Sequence, residues 1–180
     1  MLKKFLVIII AASPFLAVGQ SQNFSHQTDI YLSYASRSGM DGISLQFQYA
    51  FGLNRYCDIL AALSVINVQN FDAKITQQGT LMTTDDRISL GLRGALPFGD
   101  AFAVKMSCLA GLGIESRAYN NVNFGEMISK WEGSLEGKIE FDCQLNQTIS
   151  LGVFYDYNLF FNQNANDIQL LGVCAGFKLQ

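Results

Sequence analysis

Few residues of this chain could carry out chemistry, and their spacing does not assemble a catalytic site. The sequence has one histidine, His26, whereas hydrolysis by a Ser/His/Asp arrangement needs an imidazole held beside the nucleophile. The acid pair Asp85-Asp86 follows two threonines, and carboxylates in such a run could ligate a cation. A solvated acidic loop is the favoured interpretation of this pair. The sequence therefore predicts no enzymatic site, no bound metal and no cofactor.

Charged residues are concentrated in the stretch Lys130–Cys143, which reads KWEGSLEGKIEFDC. Polar and mostly charged side chains occupy alternate positions, and bulky apolar groups or glycines lie between them. A period of two is typical of a β-strand with two different faces. Residues i and i+2 on one face lie about 6.6 Å apart, so Lys138 can reach Glu136 or Glu140. The pattern predicts a strand with ion pairs on its charged face.

The same alternation recurs along the chain and predicts eight strands. Their expected bounds are residues 28–36, 42–52, 56–68, 86–97, 100–116, 129–143, 147–158 and 167–179. Several match the roughly 9–11 residues that cross a bilayer at a tilt. Connections 53–55, 97–100 and 144–146 are tight, while 69–85, 117–128 and 158–166 are longer and polar; only 37–40 breaks this contrast. The pattern predicts an all-β, eight-stranded antiparallel up-and-down transmembrane β-barrel.

The first residues, MLKKFLVIIIAASPFLAVGQ, have the order of a secretory signal peptide: two lysines, an apolar stretch and a small-residue cleavage site. We predict a signal peptide over residues 1–19, with an uncleaved membrane anchor as the alternative, and one barrel domain over residues 20–180. The net charge is −3 and no basic stripe is present. The composition therefore gives no electrostatic support for binding nucleic acid.

The two faces of the predicted strands favour a membrane over water. The polar faces are mostly Ser, Gln, Gly and Thr, which suit the crowded interior of an eight-stranded barrel. The other faces carry Leu, Ile, Val and Phe at mid-strand, which suit hydrocarbon. The alternative is a soluble, lipocalin-like barrel with its polar faces in water.

The leader, the eight alternating segments and the closing strand DIQLLGVCAGFKLQ together carry a family resemblance. The mature chain resembles the small outer-membrane β-barrel domain family of the porin superfamily, of the PorT-like kind. The resemblance implies a place among the lipids of the cell outer membrane and recognition of the last strand by the barrel-assembly machinery. That strand departs from the common pattern because it ends in Leu179-Gln180, with Phe177 nearby. Barrel acyltransferases and deacylases of this size use a histidine near the outer rim, whereas His26 is expected outside the strands, at the opposite end.

Two groups of residues follow from the predicted barrel. Neighbouring charged faces meet inside it, and we expect Arg93 beside Lys105, with Lys105 opposite residues 138–140. The resulting lumen network comprises Arg93, Lys105, Glu136, Lys138 and Glu140. The aromatic girdle, near the strand ends, comprises Tyr49, Phe51, Trp131, Tyr155 and Tyr157.

Four cysteines, Cys57, Cys108, Cys143 and Cys174, allow three disulfide pairings in an exported protein. The barrel opposes each pairing, because bonded Cα atoms lie within about 7 Å and these residues fall on different strands or faces. We expect free thiols, and no Cys/His spacing suggests zinc.

These observations predict a monomeric barrel with a filled polar lumen and a structural or surface-interaction role through its longer loops. The first alternative is a narrow pore for small solutes or ions, with the lumen network as a gate. The others are a periplasmic accessory role in secretion or barrel assembly and a soluble lipid-binding barrel.

Overall fold

The computed structural model describes residues 25–54, 56–70, 80–119, 127–161 and 167–179, so the predicted signal peptide lies outside the described residues. The described residues form eight strands, β1 (His26–Arg37), β2 (Met40–Asn54), β3 (Cys57–Gln69), β4 (Thr80–Phe98), β5 (Phe102–Tyr119), β6 (Met127–Gln144), β7 (Ile149–Phe160) and β8 (Ile168–Leu179). None of these residues belongs to a helix that is long and apolar enough to cross a membrane.

The strands form one closed antiparallel barrel in which each strand pairs with its neighbours in sequence. β8 closes the ring against β1, with Ile30 opposite Ala175. Closure leaves no unpaired sheet edge, which is the condition for a sheet to lie in lipid. The predicted all-β, eight-stranded up-and-down barrel is confirmed.

The connection between β1 and β2 is a two-residue hairpin turn. Ser38 and Gly39 both have positive φ, at 41° and 82°. Paired positive φ values are characteristic of the tight turns whose twist matches that of the flanking strands. Two residues are therefore sufficient to reverse the chain between β1 and β2.

The two faces of the sheet are reversed relative to a soluble protein. Outward-facing Leu90 and Leu112 are 64% and 68% exposed, whereas inward-facing Arg93 and Lys138 are each 2% exposed. We call the outward surface the apolar belt; it includes Leu45, Phe47, Leu63, Ile88, Leu90, Leu92, Leu112, Ile139, Phe141, Val153, Leu171 and Val173. A continuous apolar surface around the ring is incompatible with water and suits hydrocarbon.

The apolar belt ends before the strands do. On β4 the outward positions Leu96, Leu92 and Ile88 are exposed and apolar, and the next outward position is the exposed Asp86. β4 therefore continues past the membrane, and Asp85 lies beyond the belt. We call this the outer end, and the opposite end, where β2 connects to β3, β4 to β5 and β6 to β7, the inner end.

Three expected positions were wrong. β4 begins at Thr80, so Asp85 and Asp86 lie in a strand and not in a solvated loop. β5 likewise extends beyond its expected end, to Tyr119, and β6 begins before its expected start, at Met127. His26 is the first residue of β1 instead of lying outside the strands. Beyond the lipid the outward face also carries polar residues such as Thr84 and Asp86, so the alternation of apolar and polar residues that marks the strand in the sequence weakens there.

The lumen is less uniformly polar than expected. One buried cluster contains Tyr31, Ala35, Ile66, Val68, Phe154, Ile168, Leu170 and Cys174, with Met40 and Phe160 packed against it. A smaller cluster contains Ala50, Leu60, Ala62 and Leu109. These apolar side chains fill the space between the charged groups, and close packing leaves each ion pair little water.

Candidate functional site: the charged lumen and its outer rim

At the inner end, Lys105 bridges two carboxylates of β6. Its Nζ lies 2.9 Å from Glu140 Oε1 and 2.7 Å from Asp142 Oδ2. Lys105 is the register partner of Glu140, so sheet pairing brings the two side chains together on the inner face. The expected position of Lys105 opposite residues 138–140 agrees with this geometry.

Arg93 forms a second group of ion pairs at this end. Its Nη1 lies 2.6 Å from Asp29 Oδ2 and its Nε lies 2.7 Å from Asp58 Oδ2. Asp58 is the register partner of Arg93 on β3, whereas Asp29 reaches it from β1. Arg93 was expected beside Lys105; the β4–β5 register places it opposite Ser107, two residues from Lys105 on the same face of β5.

The middle of the lumen is organised around Lys138. Its Nζ lies 2.9 Å from Glu136 Oε1 and 3.9 Å from Asp156 Oδ2, and it donates a hydrogen bond to the side-chain oxygen of Gln46. The same ammonium lies 4.0 Å from the centroid of the Tyr31 ring. Cation–π contact and two carboxylates together offset the cost of removing this charge from water.

Tyr31 links the middle of the lumen to the inner end. Its hydroxyl donates a 2.9 Å hydrogen bond to Glu140 Oε2, the carboxylate that also binds Lys105. The rings of Tyr31 and Phe154 are nearly perpendicular, with a centroid distance of 5.0 Å. The polar groups of β1, β5 and β6 are thus connected across the barrel and do not form isolated pairs.

The outer rim holds a third group, centred on Arg37. Its Nη1 lies 2.6 Å from Glu115 Oε1 and 3.2 Å from Asp85 Oδ2. Arg117 Nη2 lies 2.8 Å from the other oxygen of Glu115. Removal from water raises the pKa of Asp85 to about 6, and the nearby Arg37 opposes that rise.

Phe160 lies between two arginines at this rim. The guanidinium carbons of Arg37 and Arg87 lie 5.2 Å and 4.7 Å from the centroid of its ring. Arg87 also donates a hydrogen bond to Asn158, two residues earlier on β7. The outer side of the lumen is therefore filled by packed side chains as well as by ion pairs.

Glu132 differs from every other carboxylate described above. It is 6% exposed, and neither of its carboxylate oxygens has a hydrogen-bond partner among the described residues. Asp85, Glu115 and Glu132, which we call the outer-rim acids, bring carboxylate oxygens within 4.8 Å of one another. Three acids this close can hold a cation or share protons.

The structure buries all five residues of the sequence-predicted lumen network on the inner face. It joins Lys105 to Glu140 and Lys138 to Glu136, but Arg93 binds acids outside that set. Sequence reasoning missed Asp29, Asp58, Gln46, Asp156, Arg37, Glu115 and Glu132 as partners or neighbours of these charges. Several of them occupy alternate positions that the sequence pattern assigns to the lumen face. Which of these side chains meet depends on strand register.

The five residues of the aromatic girdle lie on the outward face. Tyr49, Trp131 and Tyr155 are 41%, 77% and 43% exposed, and Phe51 and Tyr157 are half-buried. Tyr49 lies near the inner end, where its hydroxyl bonds His26 Nδ1. Tyr157 lies towards the outer end and donates a 2.6 Å hydrogen bond to Asp167.

The remaining groups with chemical potential lie apart from one another. His26 is at the inner end, against Tyr49 and Phe51. All four cysteines are free thiols; Cys57 and Cys174 are buried, and Cys108 and Cys143 are half-buried. What the arrangement can do is hold fixed charges across a narrow lumen and present a concentrated acidic group at its outer end.

Comparisons with known proteins find the fold but not a sequence family. No protein-family model and no curated protein matches the chain. Neisserial surface protein A has a TM-score of 0.62 and 15% identity, over 89% of this chain and 100% of its own. The N-terminal β-barrel domain of Pseudomonas aeruginosa OprF has a TM-score of 0.58 and 13% identity, over 89% and 100%. Ail, the attachment invasion locus protein of Yersinia pestis, in complex with the heparin analogue sucrose octasulfate, has a TM-score of 0.55 and 12% identity, over 87% and 97%.

At these identities the likeness concerns architecture alone. The similar structures are small barrels of the bacterial outer membrane, and their own chains are covered almost completely. The apolar belt of this chain gives an independent physical reason for the same environment. The chain therefore has the fold of a small eight-stranded outer-membrane β-barrel.

Proposed function

We propose that this chain is a non-enzymatic outer-membrane barrel with a closed lumen, and that its outer connections bind other molecules at the cell surface. The observation that carries the proposal is the state of Lys138. Its side chain is completely buried in the middle of the lumen and lies between Glu136 and Asp156. A solute crossing the barrel would have to separate these charges in a place that water does not reach.

Charged side chains at two other heights support a closed lumen. Arg93 near the inner end and Arg37 near the outer end are each 2% exposed and bound to two carboxylates. Breaking a buried ion pair leaves uncompensated charge, which costs several kcal/mol. The pore alternative therefore has less support than a scaffold role.

A closed barrel offers a rigid platform for the segments that join its strands at the outer end. Residues 70–79, 120–126 and 161–167 make these connections, and their sequences are rich in Asn, Gln, Asp and Thr. Recognition residues commonly lie on loops that a rigid scaffold positions. We further propose that the protein is a monomer among outer-membrane lipids, assembled through recognition of β8 by the barrel-assembly machinery.

Conductance in planar bilayers tests the closed lumen. Protein whose folding is verified by a gel-mobility shift on boiling should give no unitary current steps. Glu136→Gln removes the negative charge that contacts Lys138, so it should change the conductance of any pore that passes this point. Wild-type steps whose size changes in this variant would establish the narrow pore and refute the closed lumen.

Site-specific photo-crosslinking in intact cells tests the surface role. A photoreactive residue at Gln77 or Asn123, in the outer connections, should yield adducts with molecules outside the cell. The same residue at Asp100, in a tight inner turn, is the matched control. Adducts formed only from position 100 would support the periplasmic accessory role and contradict this proposal.

A further inference from the structure

We propose that the outer-rim acids Asp85, Glu115 and Glu132 bind one hard divalent cation of the calcium type at the outer mouth of the lumen. This inference concerns a binding site and does not rest on the proposed function. It concerns inward-facing groups at the outer edge of the apolar belt, on β4, β5 and β6.

The spacing of the carboxylates fits such an ion. One oxygen from each acid lies within 4.8 Å of the others. Oxygens that coordinate Ca²⁺ lie about 2.3–2.6 Å from it, so ligands on opposite sides of the ion are separated by about 5 Å. Mg²⁺ requires a near-ideal octahedron and keeps several waters, whereas Ca²⁺ accepts irregular sets of carboxylate ligands such as this one.

Three adjacent strands deliver these ligands to one point. Asp85 on β4 is the register partner of Glu115 on β5, and Glu132 of β6 pairs with Gly113, two residues before Glu115. Gly113 places no side chain between the strands: a Cβ there would lie 3.1 Å from Arg87 Cβ. Sheet pairing therefore holds the three acids rigidly on the inner face.

The orphaned Glu132 is the observation that points to a ligand. The residue is 6% exposed, and both carboxylate oxygens are buried without a hydrogen-bond partner among the described residues. A buried acceptor without a partner costs free energy, and a charged one costs more. A cation shared with Asp85 and Glu115 satisfies both oxygens at once.

Arg37 and Arg117 attract Glu132 electrostatically, but no described residue donates a hydrogen bond to its carboxylate. Arg37 binds Asp85 and Glu115, and Arg117 binds Glu115. Arg87 is directed to Asn158 and the ring of Phe160. Lys130, two residues from Glu132 on the same face, is the register partner of Glu115, but its side chain is exposed. A carboxylate has about four lone-pair sites, so Asp85 and Glu115 can bind an arginine and a cation together.

Two more oxygens near the outer-rim acids are also buried without partners. Thr83 Oγ1 lies on the same face of β4 as Asp85, two residues away, and Ser134 Oγ has the same relation to Glu132 on β6. Ca²⁺ takes 6–8 oxygen ligands, and water commonly supplies some of them. These hydroxyls are suitable partners for water molecules bound to the ion.

The other acidic cluster of the lumen is not equivalent. Glu140, Asp142 and Cys174 also approach one another, but Lys105 already lies between the two carboxylates. That ammonium occupies the position a cation would take. At the outer rim Arg37 Nη1 likewise lies between Asp85 and Glu115, but both oxygens of Glu132 lack a partner among the described residues. This third, unpartnered acid is what distinguishes the outer rim.

The test is cation binding by the folded full chain in a nonionic detergent, which removes lipid phosphate as a competing ligand. Calorimetric titration with Ca²⁺ should show one saturable site per chain. Tb³⁺ provides a second probe, because Trp131, the single tryptophan, is adjacent in sequence to Glu132 and can sensitise its emission.

Glu132→Gln should weaken Ca²⁺ binding by at least about tenfold, because one of three anionic ligands is lost. Asp85→Asn should also weaken it. The matched control is Asp86→Asn, an acid on the same strand that faces outward and is exposed; it should bind as wild type does. Ca²⁺ should raise the denaturant midpoint of wild type and not that of Glu132→Gln.

Glu132→Gln should itself fold normally, because its carboxylate has no described partner to lose, and a gel-mobility shift on boiling verifies this. Wild type that shows no saturable binding would overturn the proposal. So would a folded Glu132→Gln that binds Ca²⁺ like wild type, or an Asp86→Asn that loses binding to the same extent.

Discussion

The ammonium nitrogen of Lys138 lies 2.9 Å from a carboxylate oxygen of Glu136, two residues away on the same strand, and both side chains are buried in the middle of the barrel. Flexible side chains two residues apart can avoid each other when water is available to both. Here the barrel wall excludes water, so the pair must remain in contact.

Replacement of Lys138 by methionine should therefore destabilise the barrel strongly. It leaves Glu136 and Asp156 buried without their counter-ion, and removing one partner of a buried pair costs roughly 3–5 kcal/mol. The free energy of unfolding, followed by urea titration and Trp131 fluorescence, measures this loss. Lys130→Met is the matched control, because Lys130 lies on the same strand and face but is exposed. Equal stability of the two variants would contradict a structural role for the buried pair.

Gly91→Ala should be destabilising for a different reason. A Cβ at this position would meet the carbonyl oxygen of Cys108 and lie 2.7 Å from Cα of Leu109, so the backbones of β4 and β5 would have to separate. Overpacking of this kind costs about 1–3 kcal/mol. The inward-facing Ser89→Ala, on the same strand, adds no atoms and should cost less. The urea midpoint of unfolding should therefore be lower for Gly91→Ala than for Ser89→Ala. A Gly91→Ala midpoint equal to that of wild type would show that the two strands can separate without cost.

Within the membrane, sequence alternation was sufficient to predict the strands. β6 was predicted as residues 129–143, within two residues of its observed bounds at each end, because lipid on one side and a crowded lumen on the other impose a strict period of two. Beyond the lipid this constraint weakens, so the start of β4 and the buried position of Asp85 were missed. Alternation along each strand predicted which charged residues face the lumen, but it did not predict their ion-pair partners.

Strand register explains those missed partners. Arg93 meets Asp58 because β3 and β4 pair at that position, and the intervening segment 70–79 gives no sequence signal for the pairing. The orphan state of Glu132 depends on where three strands direct their arginines. A single sequence specifies which face a charge occupies more readily than which neighbour it binds.

The depth of the barrel in the bilayer can be measured with Trp131. Its ring is 77% exposed on the outward face, near the outer end of β6, so it should lie at the interface. In lipid vesicles, bromines attached near the headgroup should quench its fluorescence more than bromines near the bilayer centre. The control variant, Trp131→Phe with Leu92→Trp, places the indole in the middle of the apolar belt. The order of quenching should then reverse; the same order in both proteins would contradict the assigned belt.

The thiols should all be free in the protein isolated without reductant. Each cysteine is unbonded in the barrel, and Cys57 and Cys174 are buried there. A thiol titration after denaturation should count four reactive groups, because a cysteine held in a disulfide would not react. In the folded barrel, a charged water-soluble reagent should label the buried pair slowly. A count of two or fewer after denaturation would demonstrate a disulfide and a different packing of the strands concerned.

The two acids that bind Arg93 should contribute unequally. The side chain of Asp29 is 2% exposed and that of Asp58 is 16% exposed, so water can partly replace the second contact but not the first. Arg93→Met should cost roughly 3–5 kcal/mol because it leaves both acids without their cation. Asp29→Asn should cost more than Asp58→Asn in urea unfolding, and the two effects should not add in the double variant, since they share one partner. Equal and additive losses would mean that Arg93 binds the two acids independently and that burial does not set the strength of either contact.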